Sequence, residues 1–144
     1  MDRLKGKVAL VTGGANGIGR SACLLMAREG AKLAVTDLDD AQGGEVVEQI
    51  RAAGGEAAYW HLDVSSEAAV RNVFGEVGKR FGPITALVAN AGISGANKPT
   101  HELTEQEWDR VQGINVKGVF FCTKHAVPQM KKAGGGSIIN LSSI

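Results

Sequence analysis

Five short apolar runs punctuate the chain: Val8 to Thr12, Lys32 to Thr36, Ala57 to Leu62, Ile84 to Ala89 and Ser137 to Leu141. Each is too short for a helix, and each is nearly continuous in apolar character instead of alternating. That pattern fits strands covered on both faces, the way a parallel sheet is buried. Between the runs the period becomes helical. Ile18, Ala22 and Leu25 space a first helix that stops at Gly30. Val46, Val47, Ile50 and Ala53 mark a second, from after Asp39-Asp40 to Gly54-Gly55, and Val70, Phe74, Val77 and Phe81 line a third, from near Ser66 to before Gly82-Pro83. A fourth opens with Thr104-Glu105-Gln106-Glu107, a capping box. Its spacing runs through Trp108, Val111, Asn115, Val119, Cys122, Ala126 and Met130 to Gly134-Gly135-Gly136, with Gly113, Gly118 and Pro128 predicting a bend.

The order β-α-β-α-β-α-β-α-β, with short connections, predicts an α/β fold: a doubly wound parallel sheet with helices on both faces, ending after the fifth strand. A chain of 144 residues is long enough for one such domain and too short for two. The 16 Lys and Arg against 15 Asp and Glu leave a formal charge of +1, without the basic excess that phosphate-backbone binding needs, which argues against nucleic acid. No apolar segment approaches a membrane span, and the first residues carry no signal-peptide core, so a cytoplasmic protein is expected. Cys23 and Cys122 form no metal-ligand cluster and are assigned to packing. Only glycine is out of proportion, at 20 residues, roughly twice the usual share. Its positions therefore carry more information than its number.

In open α/β sheets, ligands bind beyond the carboxyl ends of the strands. After the first predicted strand comes Gly13-Gly14-Ala15-Asn16-Gly17-Ile18-Gly19; after the second, Asp37; after the third, Asp63; after the fourth, Asn90-Ala91-Gly92; after the fifth, Ser142-Ser143. Taken singly, each is an ordinary turn residue. All five on one rim point to a site. Gly13, Gly17 and Gly19 let a backbone turn tightly and approach a pyrophosphate whose charge rests on helix amides. Asp37 lies 18 residues beyond Gly19, the distance expected for an acid that accepts bonds from an adenosine ribose. A carboxylate there repels a 2′-phosphate by about 4 kcal/mol at 4 Å and an effective permittivity of 20, and no basic residue lies within Gly13 to Gly19. NAD is therefore expected over NADP.

Two other readings stand beside this one. Gly14 to Ser21 spells G-x-x-x-x-G-R-S, one residue from a nucleotide-triphosphatase P-loop. Its lysine is replaced by arginine, whose planar fork does not substitute freely for an ammonium beside phosphates, and Gly13 and Gly17 go unexplained. A non-catalytic dinucleotide-binding or interaction module would use the same pocket without chemistry.

With these residues assembled, the sequence resembles the short-chain dehydrogenase/reductase family from about Leu4 onward. The resemblance rests on Thr12 to Gly19 for T-G-x-x-x-G-x-G, Asp63-Val64, Asn90-Ala91-Gly92, Asn115 in Ile114-Asn115-Val116, and Gly136 to Ser143. It implies a Rossmann-like domain over residues 1–144 that forms the NAD-binding part of an oxidoreductase interconverting a secondary alcohol and a carbonyl by hydride transfer. By the same resemblance Gly13, Asn16, Gly17, Ile18 and Gly19 hold cofactor with Asp37. Asp63 and Val64 border the adenine, and Asn90, Ala91 and Gly92 support the central strand and cofactor. Ser143 is the catalytic serine that bonds the reacting oxygen, and Asn115 the catalytic-helix asparagine that holds a relay water. A homo-oligomer is implied as well.

The chain departs from the family pattern at Ala89, where an asparagine is frequent, and at Thr85, where an aspartate is common. More important, the family's Y-x-x-x-K segment follows the serine and does not occur up to Ile144. The one tyrosine, Tyr59, is followed four residues later by Asp63 and is assigned to strand packing. His61, His101 and His125 are assigned to a strand, a loop and a helix surface, with His101 the most plausible alternative base. The 144 residues alone are expected to be inactive, as a truncated or split portion or one stabilised by self-association, with the fifth strand and the last helix uncovered.

Overall fold

Five parallel strands, β1 (Val8–Thr12), β2 (Lys32–Asp37), β3 (Ala57–His61), β4 (Ala86–Ala89) and β5 (Ser137–Asn140), form one sheet in the computed structural model, which describes residues 2–143. The spatial order β3-β2-β1-β4-β5 makes β1 central. The chain winds outward from it to β3, then crosses back to β4, so strand order reverses between β1 and β4. The continuous apolar runs have the expected cause. Every residue of β1 is buried, with Val8 and Leu10 in one core and Ala9 and Val11 in the other.

The helices are α1 (Gly17–Arg28), α2 (Asp40–Ala52), α3 (Glu67–Phe81), α4 (Glu105–Gln112) and α5 (Gly118–Lys132). Cys23 of α1 and Val46, Val47 and Ile50 of α2 cover one face of the sheet, while Val70, Phe74 and Val77 of α3 and Cys122, Ala126 and Met130 of α5 cover the other. Asp39, Ser66 and Thr104 cap α2, α3 and α4 with their side chains, the last in a full capping box with Glu107. Both thiols are buried and pushed up to about 12 by desolvation, as inert packing residues are.

Three expectations about the helices need correction. Ile18 and Leu25 do not face the core: they are 68% and 54% exposed, and the inward line of α1 is Gly19 and Cys23. Small residues win because the helix must approach the turn after β1 more closely than a branched side chain permits. The fourth predicted helix is not one regular helix with a simple bend; a π-helical segment at Gly113–Lys117 joins α4 to α5, and Asn115 lies within it. His125 is not a surface residue, since its ring is mostly covered and its Nε2 lies 3.1 Å from Glu67.

At the position where the family pattern has an aspartate, Thr85 supports the strand by itself. Its hydroxyl accepts from the Val8 amide at 3.0 Å, and its own amide donates to the Val8 carbonyl at 2.9 Å. As expected, β5 occupies a sheet edge with Ile139 exposed, and Trp108, Val116 and Phe120 of the last helical run are also exposed. Among the described residues no helix is long and apolar enough to cross a membrane.

Glu67 ties α3 to α5 by accepting from Lys124 and His125, and these bonds hold its carboxyl below the usual glutamate range. A depressed folded value means that the stabilisation is present above the unfolded value of about 4.3 and is lost as pH falls from there through the lower folded value. Urea unfolding between about pH 5 and pH 3 should therefore show a steeper loss of stability in the wild type than in Glu67→Gln; equal slopes would remove Glu67 from the acid sensitivity.

Candidate functional site

The cleft lies where strand order reverses, above the carboxyl ends of β1 and β4. Its volume is about 250 Å³, and Gly13, Asn16, Asp37, Leu38, Leu62, Asp63, Val64, Asn90, Ala91, Gly92, Ile93 and Ile114 line it. Eight of these residues carry the rim motifs singled out in the sequence. Gly17, Ile18 and Gly19 belong instead to the first turn of α1, and Ser143 is exposed beyond β5 on the same rim, outside the lining.

The turn after β1 is set by close approach. Gly13 has φ +64° and Gly17 has φ +54°, both in the left-handed region that favours glycine. A Cβ on Gly19 would come within 2.0 Å of the Gly13 carbonyl oxygen and 2.6 Å of Asn90 Nδ2. Asn90 holds this arrangement from the β4 side: Nδ2 donates to the carbonyls of Thr12 and Gly13, both at 3.0 Å. The Thr12 hydroxyl accepts from the amides of Asn90 and Ala91 at 3.0 and 3.1 Å, which stitches the two strand ends together.

Above this turn α1 presents its amino terminus without a side-chain cap and without an acidic residue in its first turn, although α2, α3 and α4 all have side-chain caps. The helix-end amides and the positive end of the helix dipole are thus left for an anion. The Asp37 carboxylate stands beside the glycine turn. Its Oδ2 accepts from the Ala15 amide at 3.0 Å, and its Oδ1 accepts from Leu38 and Asp39 amides at 2.7 and 3.1 Å. A carboxylate has about four lone-pair directions, so capacity remains for a hydroxyl.

The other predicted residues are engaged in different ways. Asp63 Oδ1 accepts from the amide and hydroxyl of Ser65, at 2.9 and 2.6 Å, and so turns the chain into α3. Val64 is buried against Gly118, where a Cβ would fall 2.7 Å from its Cγ2. Asn115 grips the loop after β4 with both ends of its amide: Oδ1 accepts from the Ile93 amide at 2.9 Å, and Nδ2 donates to the Ile93 carbonyl at 2.8 Å. Sequence reasoning missed Leu38, Leu62, Ile93 and Ile114 as lining residues. Their signal was adjacency, since each directly adjoins a residue already marked.

None of the histidines lines the cleft. His61 Nδ1 is 2.7 Å from Asp40, and His101 is exposed beside Glu102. The Tyr59 phenol is raised above its ordinary range by desolvation and by its bond to Asp40, the wrong direction for proton transfer near neutral pH.

Comparison with known proteins follows the same line. The family model for short chain dehydrogenases matches residues 7–144. The chain belongs to that family. It is 43% identical over 148 residues to a cyclopentanol dehydrogenase from Comamonas testosteroni, a match that spans all of this chain and 57% of the relative. It is 42% identical over 139 residues to an uncharacterized oxidoreductase from Thermotoga maritima, across 96% of the chain and 54% of the relative. A crystal structure from Burkholderia xenovorans, assigned to the short-chain dehydrogenases/reductases, superposes with a TM-score of 0.90 at 34% identity, over 96% of this chain and 56% of that one. The chain thus spans little more than half the length of these family members.

Because no side chain fits between Gly19 and Gly13, Gly19→Ala should lower unfolding stability by about 1–3 kcal/mol through overpacking, read from urea denaturation. An unchanged midpoint would show that the turn yields easily.

Proposed function

We propose that this chain binds NAD across the carboxyl rim of the sheet and forms the cofactor-binding part of an oxidoreductase that interconverts a secondary alcohol and its carbonyl. The carrying observation is the junction at Ala15: the turn beneath an uncapped helix terminus donates directly to the Asp37 carboxylate. An anion site and a sugar-binding acid are therefore fixed relative to each other. The residues fit the group. Gly13, Asn16, Gly17, Ile18 and Gly19 receive the diphosphate, Asp37 takes the adenosine ribose hydroxyls, Asp63 and Val64 border the adenine, and Asn90, Ala91 and Gly92 run along the cofactor toward the reacting end.

The chemistry that NAD would supply when bound is acceptance of a hydride from the carbinol carbon, the hydroxyl proton leaving to water. Ser143, beyond β5, bonds the reacting oxygen and stabilises the charge that gathers there. Asn115 has spent one donor and one lone pair on Ile93, and its remaining amide proton and lone pair are what it offers a relay water. The relative named for cyclopentanol supports an alcohol on a secondary carbon as substrate. So does a relative named as a 3beta-hydroxysteroid dehydrogenase, from Mediterraneibacter gnavus, 37% identical over 144 residues and matched over 52% of its length. The same reading takes the protein as a cytoplasmic homo-oligomer, with exposed Trp108, Val116 and Phe120 as apolar area for a second protein surface.

Titration calorimetry should show NAD bound at least about tenfold more tightly than NADP, given the charge of Asp37 and its screening by solvent; equal or tighter NADP binding would overturn the cofactor assignment. In the full protein, Ser143→Ala should cut turnover by about a hundredfold or more and leave NAD affinity unchanged. Unaltered turnover would remove Ser143 from the reaction.

A further inference from the structure

The turn that carries Asp37 is held by a small polar network on its outer side. Tyr59 Oη lies 2.8 Å from the main-chain oxygen of Asp37 and 2.7 Å from Asp40 Oδ1, and His61 Nδ1 lies 2.7 Å from that same carboxylate oxygen. The phenol has one proton and faces two acceptors. A bare Nδ1 would set its lone pair against a carboxylate lone pair at hydrogen-bond distance, so Nδ1 carries the proton. Asp40 Oδ1 has lone pairs for both His61 and the phenol, so the Tyr59 hydroxyl is shared between the Asp40 carboxylate and the Asp37 carbonyl.

Packing keeps the network in place. His61 is the register partner of Asp37 across the β2–β3 pair, and Tyr59 is the partner of Val35. The Tyr59 ring is held under α2 by Gly43, where a Cβ would come within 2.1 Å of ring Cε2. The phenol thus bridges the end of β2 and the start of α2. The span it bridges contains the Leu38 and Asp39 amides that orient Asp37 Oδ1. From the other side the glycine turn orients Oδ2 through Ala15.

We propose that Tyr59 is a positioning residue for ribose recognition: its hydroxyl, shared between the Asp37 carbonyl and the Asp40 carboxylate, ties the two ends of the turn together so that the Asp37 carboxylate meets the 2′-hydroxyl. This rests on the reading that Asp37 takes the ribose. Tyr59 does not line the cleft, and its influence passes through the main chain of Asp37. Gly43 belongs to the same device, because any larger residue there would push the ring out of reach.

The test compares ADP with 2′-deoxy-ADP, which share adenine and diphosphate and differ only at the hydroxyl in question, by titration calorimetry on the full protein. In Tyr59→Phe the preference for ADP should narrow about threefold to tenfold, the worth of one net hydrogen bond, while the affinity for 2′-deoxy-ADP is retained. A merely structural role would weaken both nucleotides together and keep their ratio. An unchanged ratio in folded Tyr59→Phe overturns the proposal; should that variant not fold, an unchanged ratio in Gly43→Ala, whose methyl would displace the Tyr59 ring, overturns it equally. Wild-type protein that binds both nucleotides alike, or neither, removes the ribose reading of Asp37 itself and the proposal with it, so the two failures are told apart by the wild type alone.

Discussion

The carbonyl of Gly13 and the backbone of Gly19 sit so close that no side chain fits between them, and Asn90 bonds across the same gap to the carbonyls of Thr12 and Gly13. This contact sets the path of α1 relative to the sheet. It turns Gly19 and Cys23 inward and leaves Ile18 outside at the helix start. It also joins β1 to β4 at the one place where strand order reverses, and so fixes the cleft. Remove the close approach and the helix terminus no longer overhangs the turn, whatever the rest of the core does.

A second feature is how the polar groups of the rim are used. Asp37, Asn90 and Asn115 all hold main-chain atoms: Asp37 the amides of Ala15, Leu38 and Asp39, Asn90 two carbonyls, Asn115 both polar atoms of Ile93. Each side chain therefore shapes the loop before it meets any ligand. Preorganisation of this kind limits the ordering cost of binding, because the groups that contact ligand are already held. It also gives such residues a structural penalty on substitution that is separate from any loss of chemistry.

Much of the fold was legible in the sequence because buried parallel strands leave an unusually plain trace. The runs at Val8 and Lys32 match β1 and β2 to within a residue, since both faces of those strands are covered and nothing polar interrupts them. The caps at Asp39, Ser66 and Thr104 mark helix starts through their own side-chain bonds. The orientation of α1 was not legible: Ile18 and Leu25 have helical spacing, but a glycine contact decides which face turns inward, and periodicity carries no record of a missing side chain. The π-helical turn at Asn115 was hidden as well: Gly113 and Gly118 flag a weak point in the helix but carry no record of which irregularity forms there. The rim motifs named most of the cleft in advance, whereas the Tyr59–Asp40–His61 network depends on strand register and could be found only in three dimensions.

The most direct measurement is a crystal structure of the protein grown with NAD. The account predicts difference density for the diphosphate over the amides of Gly17 to Gly19, with the adenosine ribose within hydrogen-bond distance of Asp37. Density for the dinucleotide elsewhere on the molecule, or a diphosphate kept away from the first turn of α1, would contradict it.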